Sequence, residues 1–123
     1  MKQLLVLFIG LFMFASVAYA ADPVQNVSSH LPRSKPITEV EDAIIAATKE
    51  RGWQTRIVAP GHIEATIYVR AHMAKVTITY AGESYEINYL DSNNLKYNPA
   101  KGTIHSNYNK WIRNLDSSIY KKL

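Results

Sequence analysis

A chain of 123 residues without cysteine excludes a disulfide-braced scaffold, thiol chemistry and anchoring through a lipid-bearing cysteine. Fourteen Lys and Arg against ten Asp and Glu give a formal charge of +4. That is compatible with an acidic partner or membrane surface, but it does not point to a nucleic acid.

Residues 1–20 read as a secretory signal peptide. Lys2 supplies the positive start, residues 4–14 an apolar run, and Ala18-Tyr19-Ala20 a small-x-small cleavage site. The apolar run is too short to span a bilayer comfortably, so no stable membrane anchor is expected after cleavage. Cleavage between Ala20 and Ala21 predicts a periplasmic or secreted bacterial protein of 103 residues, with its charge lowered to +3 by loss of Lys2. That length suits one domain with a modest core. Residues 21–36 carry Pro23, Pro32 and Pro36 among Asn26, Ser28, Ser29 and Ser34, with no apolar period. They predict a flexible leader, made locally basic by Arg33 and Lys35.

Residues 38–52 predict a helix. Thr38 and Glu41 have the spacing of a capping box, Val40, Ile44 and Ala47 form an apolar stripe, and Gly52 is a stop. Four strands follow. In 53–58, Trp53, Thr55 and Ile57 share one side. In 62–72 apolar residues fall on odd positions, in 74–80 on even ones, and in 84–90 on odd ones again. These flips of parity suit antiparallel hairpins. A loop at His72-Met73 would pair Ala71 with Ala74 and Arg70 with Lys75. A loop at Gly82-Glu83 would pair Tyr80 with Tyr85 and Ile78 with Ile87, and its leading glycine suits a II′ turn. The Ala59-Pro60-Gly61 connection needs an odd loop, with a bulge expected at Gly61.

Residues 91–102 read as a long loop with Leu95 and Tyr97 pinned to the fold. Residues 104–120 predict a second helix, on which Ile104, Tyr108, Trp111, Ile112, Leu115 and Ile119 make one apolar stripe. Two striped helices and a one-faced sheet predict a single α+β domain over 37–123. Its expected form is a four-stranded antiparallel meander with both helices on one face, in the order α-β-β-β-β-α.

The sequence contains no nucleophile elbow, no glycine-rich phosphate loop and no metal-ligand signature, so no cofactor or metal is expected. His62 and His72, ten residues apart on one strand, would lie roughly 33 Å from each other, too far to share an ion. The expected Arg70–Lys75 pairing sets like charges opposite one another. With His72, and with Ser92 and Asn94 in the adjoining loop, it forms a candidate cationic edge for a phosphate, carboxylate or sulfate. Tyr68 points outward among Thr66, Thr77 and Thr79, a flat surface able to bond an extended sugar or peptide.

The run Arg70-Ala71-His72, the stretch Tyr89-Leu90-Asp91-Ser92 with Leu95 and Tyr97, and above all the I-H-x-x-Y-N-x-W-I-x-N-L pattern from Ile104 to Leu115 resemble a family of small uncharacterised bacterial envelope proteins. Many members of that family look like lipoproteins. The resemblance spans about residues 53–119 and implies a fold and a compartment rather than an activity; the absence of the lipid-bearing cysteine implies a soluble periplasmic version. It directs attention to His105 and Asn109, expected to touch at a spacing of four on one side of the helix. The leading expectation is a non-enzymatic binding domain for an anionic envelope component or a periplasmic protein. The alternatives are a hydrolase using His105 with Ser92 or Asp91, and an assembly protein acting through its sheet edges.

Overall fold

The computed structural model describes residues 21–123. The expected signal peptide and the Ala20 side of its cleavage site lie outside the described residues. Two helices, α1 (Ile37–Glu50) and α2 (Ser106–Lys121), accompany seven strands: β1 (Ala21–Pro23), β2 (Val27–His30), β3 (Gln54–Ala59), β4 (His62–Val69), β5 (His72–Tyr80), β6 (Ser84–Asn93) and β7 (Thr103–His105). The fold is α+β, as the sequence predicts. The sheet is larger than the expected four-stranded meander: an antiparallel five-stranded sheet in the order β2-β6-β5-β4-β3, beside a two-stranded β1-β7 ribbon.

The added strands come from residues 21–36, read from the sequence as a flexible leader. Ser28 pairs with Glu86 and Ser29 with Tyr85, so β2 extends the sheet past β6. Prolines and serines hid this strand because its side chains contribute little burial; backbone pairing and the buried Leu31 hold it instead. Lys35 N–H also donates to the Gly82 carbonyl at 2.7 Å.

Alternation places Ile63, Ala65 and Ile67 of β4, Ala74, Val76, Ile78 and Tyr80 of β5, and Tyr85 and Ile87 of β6 on one buried face. Val40, Ile44 and Ala47 of α1 and Tyr108, Ile112, Leu115 and Ile119 of α2 complete a single core with them. The helices are tied by Arg51, whose Nε donates to Ser118 Oγ at 2.7 Å. Tyr80 donates to the Glu41 carboxylate of α1 at 2.6 Å, and Tyr85 to the Asp116 carboxylate of α2 at 2.7 Å.

Several local expectations are corrected. The β4–β5 turn is Arg70-Ala71, with Val69 opposite His72 and Ile67 opposite Ala74. The turn lies two residues earlier than expected, so each residue's partner moves by four: Ala74 faces Ile67 rather than Ala71. Such a slip preserves parity and hence the buried face, so alternation alone could not detect it. The Tyr80–Tyr85 and Ile78–Ile87 pairs form as expected. The bulge on β3 lies at Val58, between the Ile57–Ile63 and Ala59–His62 pairs, rather than at Gly61. All of β3 is exposed; only Trp53, just before it, joins the core. Thr38 and Glu41 form no capping box: Pro36 is the N-cap of α1, and the Glu41 carboxylate is engaged by Tyr80. β6 continues to Asn93, shortening the expected loop, and α2 starts at Ser106, leaving Ile104 and His105 in β7.

Candidate functional site

Past Tyr89 the ladder between β5 and β6 breaks. Val76 pairs with Tyr89 and Lys75 with Asp91, so Leu90 is an extra, bulged residue. A bulge bends its strand and re-aims the side chains that follow. Here the bend leads into 94–97 and leaves an open hollow of about 580 Å³, lined by Tyr89, Leu90, Asp91, Ser92, Asn94, Leu95, Lys96 and Tyr97.

Aromatic packing and short polar bonds build its wall. The Tyr89 and Tyr97 rings stack with centroids 4.2 Å apart, and Tyr108 meets Tyr89 edge-on at 5.7 Å. The Tyr89 and Ser92 hydroxyls share a hydrogen bond of 2.7 Å. Burial raises the Tyr89 hydroxyl pKa above its ordinary value, while the Ser92 bond works against that rise. Tyr108 is fully buried and its hydroxyl has no protein partner; burial pushes its pKa strongly upward, so this hydroxyl stays neutral. Leu95 is buried beneath the hollow, pinned as the sequence suggests.

The backbone here is unusual. Arg70, Asn94 and Lys96 have φ of 57°, 59° and 56°, and they are the non-glycine residues with positive φ among the described residues. Asn tolerates this region, but for the longer side chains it costs about 1 kcal/mol each. The segments that carry Arg70 and Asn94 are joined locally. His72 Nδ1–H donates to the Asn94 carbonyl at 2.7 Å, and Asn94 Nδ2 reaches the Ala71 carbonyl at 3.4 Å. The Arg70-Ala71 turn is thereby fastened to the loop that lines the hollow.

The predicted site residues therefore divide. His72, Ser92 and Asn94 come together, with Arg70 in the adjoining turn. Lys75 does not face Arg70; it lies between Thr66 and Asp91, so the expected like-charge pair does not form. The Asp91 carboxylate also accepts from the Ser92 backbone N–H at 2.8 Å. Among the described residues neither Arg70 nor Lys96 forms an ion pair, whereas Arg56 pairs with Glu64 and Lys122 with Glu50.

His105 and Asn109 belong elsewhere. His105 Nδ1 accepts from Asn107 N–H at 3.0 Å and caps α2. Asn109, 2% exposed, accepts from Gln25 N–H at 3.0 Å and donates to the Pro23 carbonyl at 2.9 Å. No hydrogen bond joins the two side chains, because His105 precedes the helix on which their spacing was to bring them into contact. Nor does one join the side chains of Ser92, Asp91 and His105: the Ser92 hydroxyl is engaged by Tyr89 and His105 Nδ1 by a backbone amide. The triad geometry of a hydrolase is not assembled.

Tyr89 packs against the core as its place in the alternation predicts and also walls the hollow. Sequence reasoning passed over Lys96, because the bulge at Leu90 that precedes it carries no glycine or proline to mark it. A second groove, of about 320 Å³, lies between α1 and the sheet edge, lined chiefly by Ile37, Ile57, Val58, Pro60 and Tyr80. Ile57 is 53% exposed there. Comparison with protein-family models, with curated proteins and with solved structures finds no match to this chain.

Proposed function

We propose that this chain is a non-enzymatic binding domain of the bacterial envelope, which seats a small ligand bearing a phosphate or carboxylate group in the Tyr89–Tyr97 hollow. The observation that carries this reading is that Asn94 and Lys96, both of positive φ, line one concavity, while the third such residue, Arg70, sits in the turn to which Asn94 is bonded. Strained backbone persists where surrounding structure enforces it, and it clusters where a surface is shaped for a task. Among the described residues Arg70 and Lys96 are cations without ion-pair partners, and Asn94 and Ser92 add polar groups near them. The aromatic stack supplies an apolar wall for the rest of the ligand. The signal-peptide pattern and the resemblance to envelope proteins support the compartment.

Titration of the 15N-labelled protein with inorganic phosphate, a short-chain phosphatidylglycerol and soluble cell-wall muropeptides tests the reading and separates free-anion, lipid and cell-wall sources. Localised amide shifts at Ser92, Asn94, Lys96 and Tyr97 are expected with at least one of them. Silence at these amides with all three would overturn the proposal.

A second reading, self-association through β3, is favoured by the exposed Ile57 and Val58 on a free sheet edge. The one charge on that strand, Arg56, is matched within its own chain by Glu64 at 2.8 Å, so a second copy meets no uncompensated repulsion. Sedimentation should then show a concentration-dependent dimer that Ile57→Lys abolishes; a monomer at every concentration removes this reading.

A further inference from the structure

The wall of the hollow is held from behind by the N-terminal segment. The β2–β6 ladder ends at the Val27–Ile87 pair, just short of the bulge. Beyond that point β2 offers the Tyr89 N–H no backbone acceptor. The Asn26 side chain supplies one, Oδ1 accepting from Tyr89 N–H at 3.0 Å. A side chain thus continues the ladder where the backbone turns away, and it does so at the residue whose ring and hydroxyl form the wall.

Asn26 is itself placed by its neighbours. Asn109 on α2 grips the backbone on either side of Val24, accepting from Gln25 N–H and donating to the Pro23 carbonyl. Val24 N–H donates to the Gly102 carbonyl at 2.9 Å, and Arg113 reaches the Gln25 side-chain oxygen at 3.4 Å. Both amide functions of Asn109 are used on this segment, which accounts for a buried polar residue in an otherwise apolar helix face.

We infer that Asn26 and Asn109 are positioning residues for the hollow, and that docking of residues 23–26 and occupancy of the hollow by an anionic ligand are coupled. The inference rests on the binding reading proposed above and specifies how that site is regulated. Coupling between two sites is reciprocal: if the docked segment shapes the wall, a ligand on the wall holds the segment down.

The experiment uses the 15N-labelled protein and its Asn26→Ala, Asn26→Asp and Asn109→Ala variants, each titrated with inorganic phosphate and with the short-chain phosphatidylglycerol. Asn26→Ala is expected to weaken binding at least about five-fold. Its amide shifts should concentrate at Tyr89, Ser92 and Tyr97, with Ile44 and Ile112 in the core unmoved. Asn26→Asp keeps an acceptor for the Tyr89 N–H and should restore binding, which a general loss of packing would not do. In the wild type, saturating ligand should slow exchange of the Gln25 amide, and Asn109→Ala should remove that protection. If the wild type binds at the hollow while Asn26→Ala binds equally well, or while Gln25 exchange ignores the ligand, the coupling is wrong and the binding site stands. If the wild type shows no shift at the hollow with either probe, nor with the muropeptides, the binding reading falls and takes this inference with it.

Discussion

The two hairpin turns of the central sheet differ in an instructive way. The β5–β6 turn contains a glycine, yet Gly82 does not use the left-handed conformation that glycine permits. The β4–β5 turn contains no glycine, yet Arg70 adopts φ of 57°, at the first loop position, where a II′ turn favours glycine. Gly82 is required for room: a Cβ there would stand 2.5 Å from the Lys35 carbonyl oxygen of the N-terminal segment. Arg70 keeps a side chain at the cost of strain, beside the hollow. One turn is shaped by what packs onto it, the other by what it presents. A glycine in a hairpin therefore has two distinct physical meanings, and only the three-dimensional structure separates them.

The largest difference between the turns should appear at alkaline pH. The glycine turn is closed by the Tyr80–Tyr85 pair, each hydroxyl bonded to a carboxylate on a different helix. Burial and then Glu41 push the Tyr80 hydroxyl up to about 12 from an ordinary 10. Burial and then Asp116 push Tyr85 further in the same direction. The folded state favours the protonated forms, so their contribution is fully present below pH 10 and is lost as pH climbs through the folded values. Solvent screens both hydroxyls in part, so stability measured by urea denaturation should fall by about 2–3 kcal/mol between pH 10 and 12, less than the two shifts would give unscreened. The amides of 80–85 should lose exchange protection before those of 69–72, and equal loss at both turns would erase the distinction. The next effect in size is Gly82→Ala. The atom in the way is backbone, not the free end of a side chain, so about 2 kcal/mol should be lost. Faster exchange at the Lys35 amide is expected with it; unchanged stability would show that the close approach of Lys35 does not constrain this turn.

What the sequence could reveal follows the same division. Alternation over residues 62–72, 74–80 and 84–90 places the buried face correctly, because burial of Ile63, Val76, Ile78 and Ile87 is a period-two property written in the residues. The helical stripe from Tyr108 to Ile119 is legible for the same reason at a period of about four. The first turn is not fixed by the sequence because a slip of four in the pairing leaves every side chain on its own face, and only the Arg70 backbone and its neighbours distinguish the registers. The Leu90 bulge has no compositional mark, so the hollow that follows it is not legible in the sequence, although Tyr89 packs against the core as alternation predicts. Strand β2 is not legible in the sequence because it is held by main-chain pairing with the distant β6 rather than by a period of its own side chains. His72, Ser92 and Asn94 are recognisable as neighbours through the expected order of the strands, the fourth leading past Lys75 into the loop, rather than through any motif.

The smallest effect is the most discriminating. In Arg70→Asn the new residue tolerates the left-handed region, and strain of about 1 kcal/mol is relieved. Arg70→Gly relieves the same strain, but the unfolded chain gains freedom worth roughly 0.5–1 kcal/mol, which offsets most of the benefit. Asn should therefore raise stability by somewhat under about 1 kcal/mol and Gly by less, measured as shifts in the urea midpoint at constant slope. Both variants should weaken phosphate binding, since each removes the guanidinium, while Arg70→Lys should keep much of the binding and all of the strain. If Asn is no more stable than the wild type, the strain at this turn is not a cost borne by the fold, and the contrast with Gly82 loses its meaning. If Asn is more stable and binds phosphate as well as the wild type does, the strain is real but unrelated to the ligand. Gain in stability with loss of binding is the one outcome in which an arginine belongs where a glycine would fold more easily.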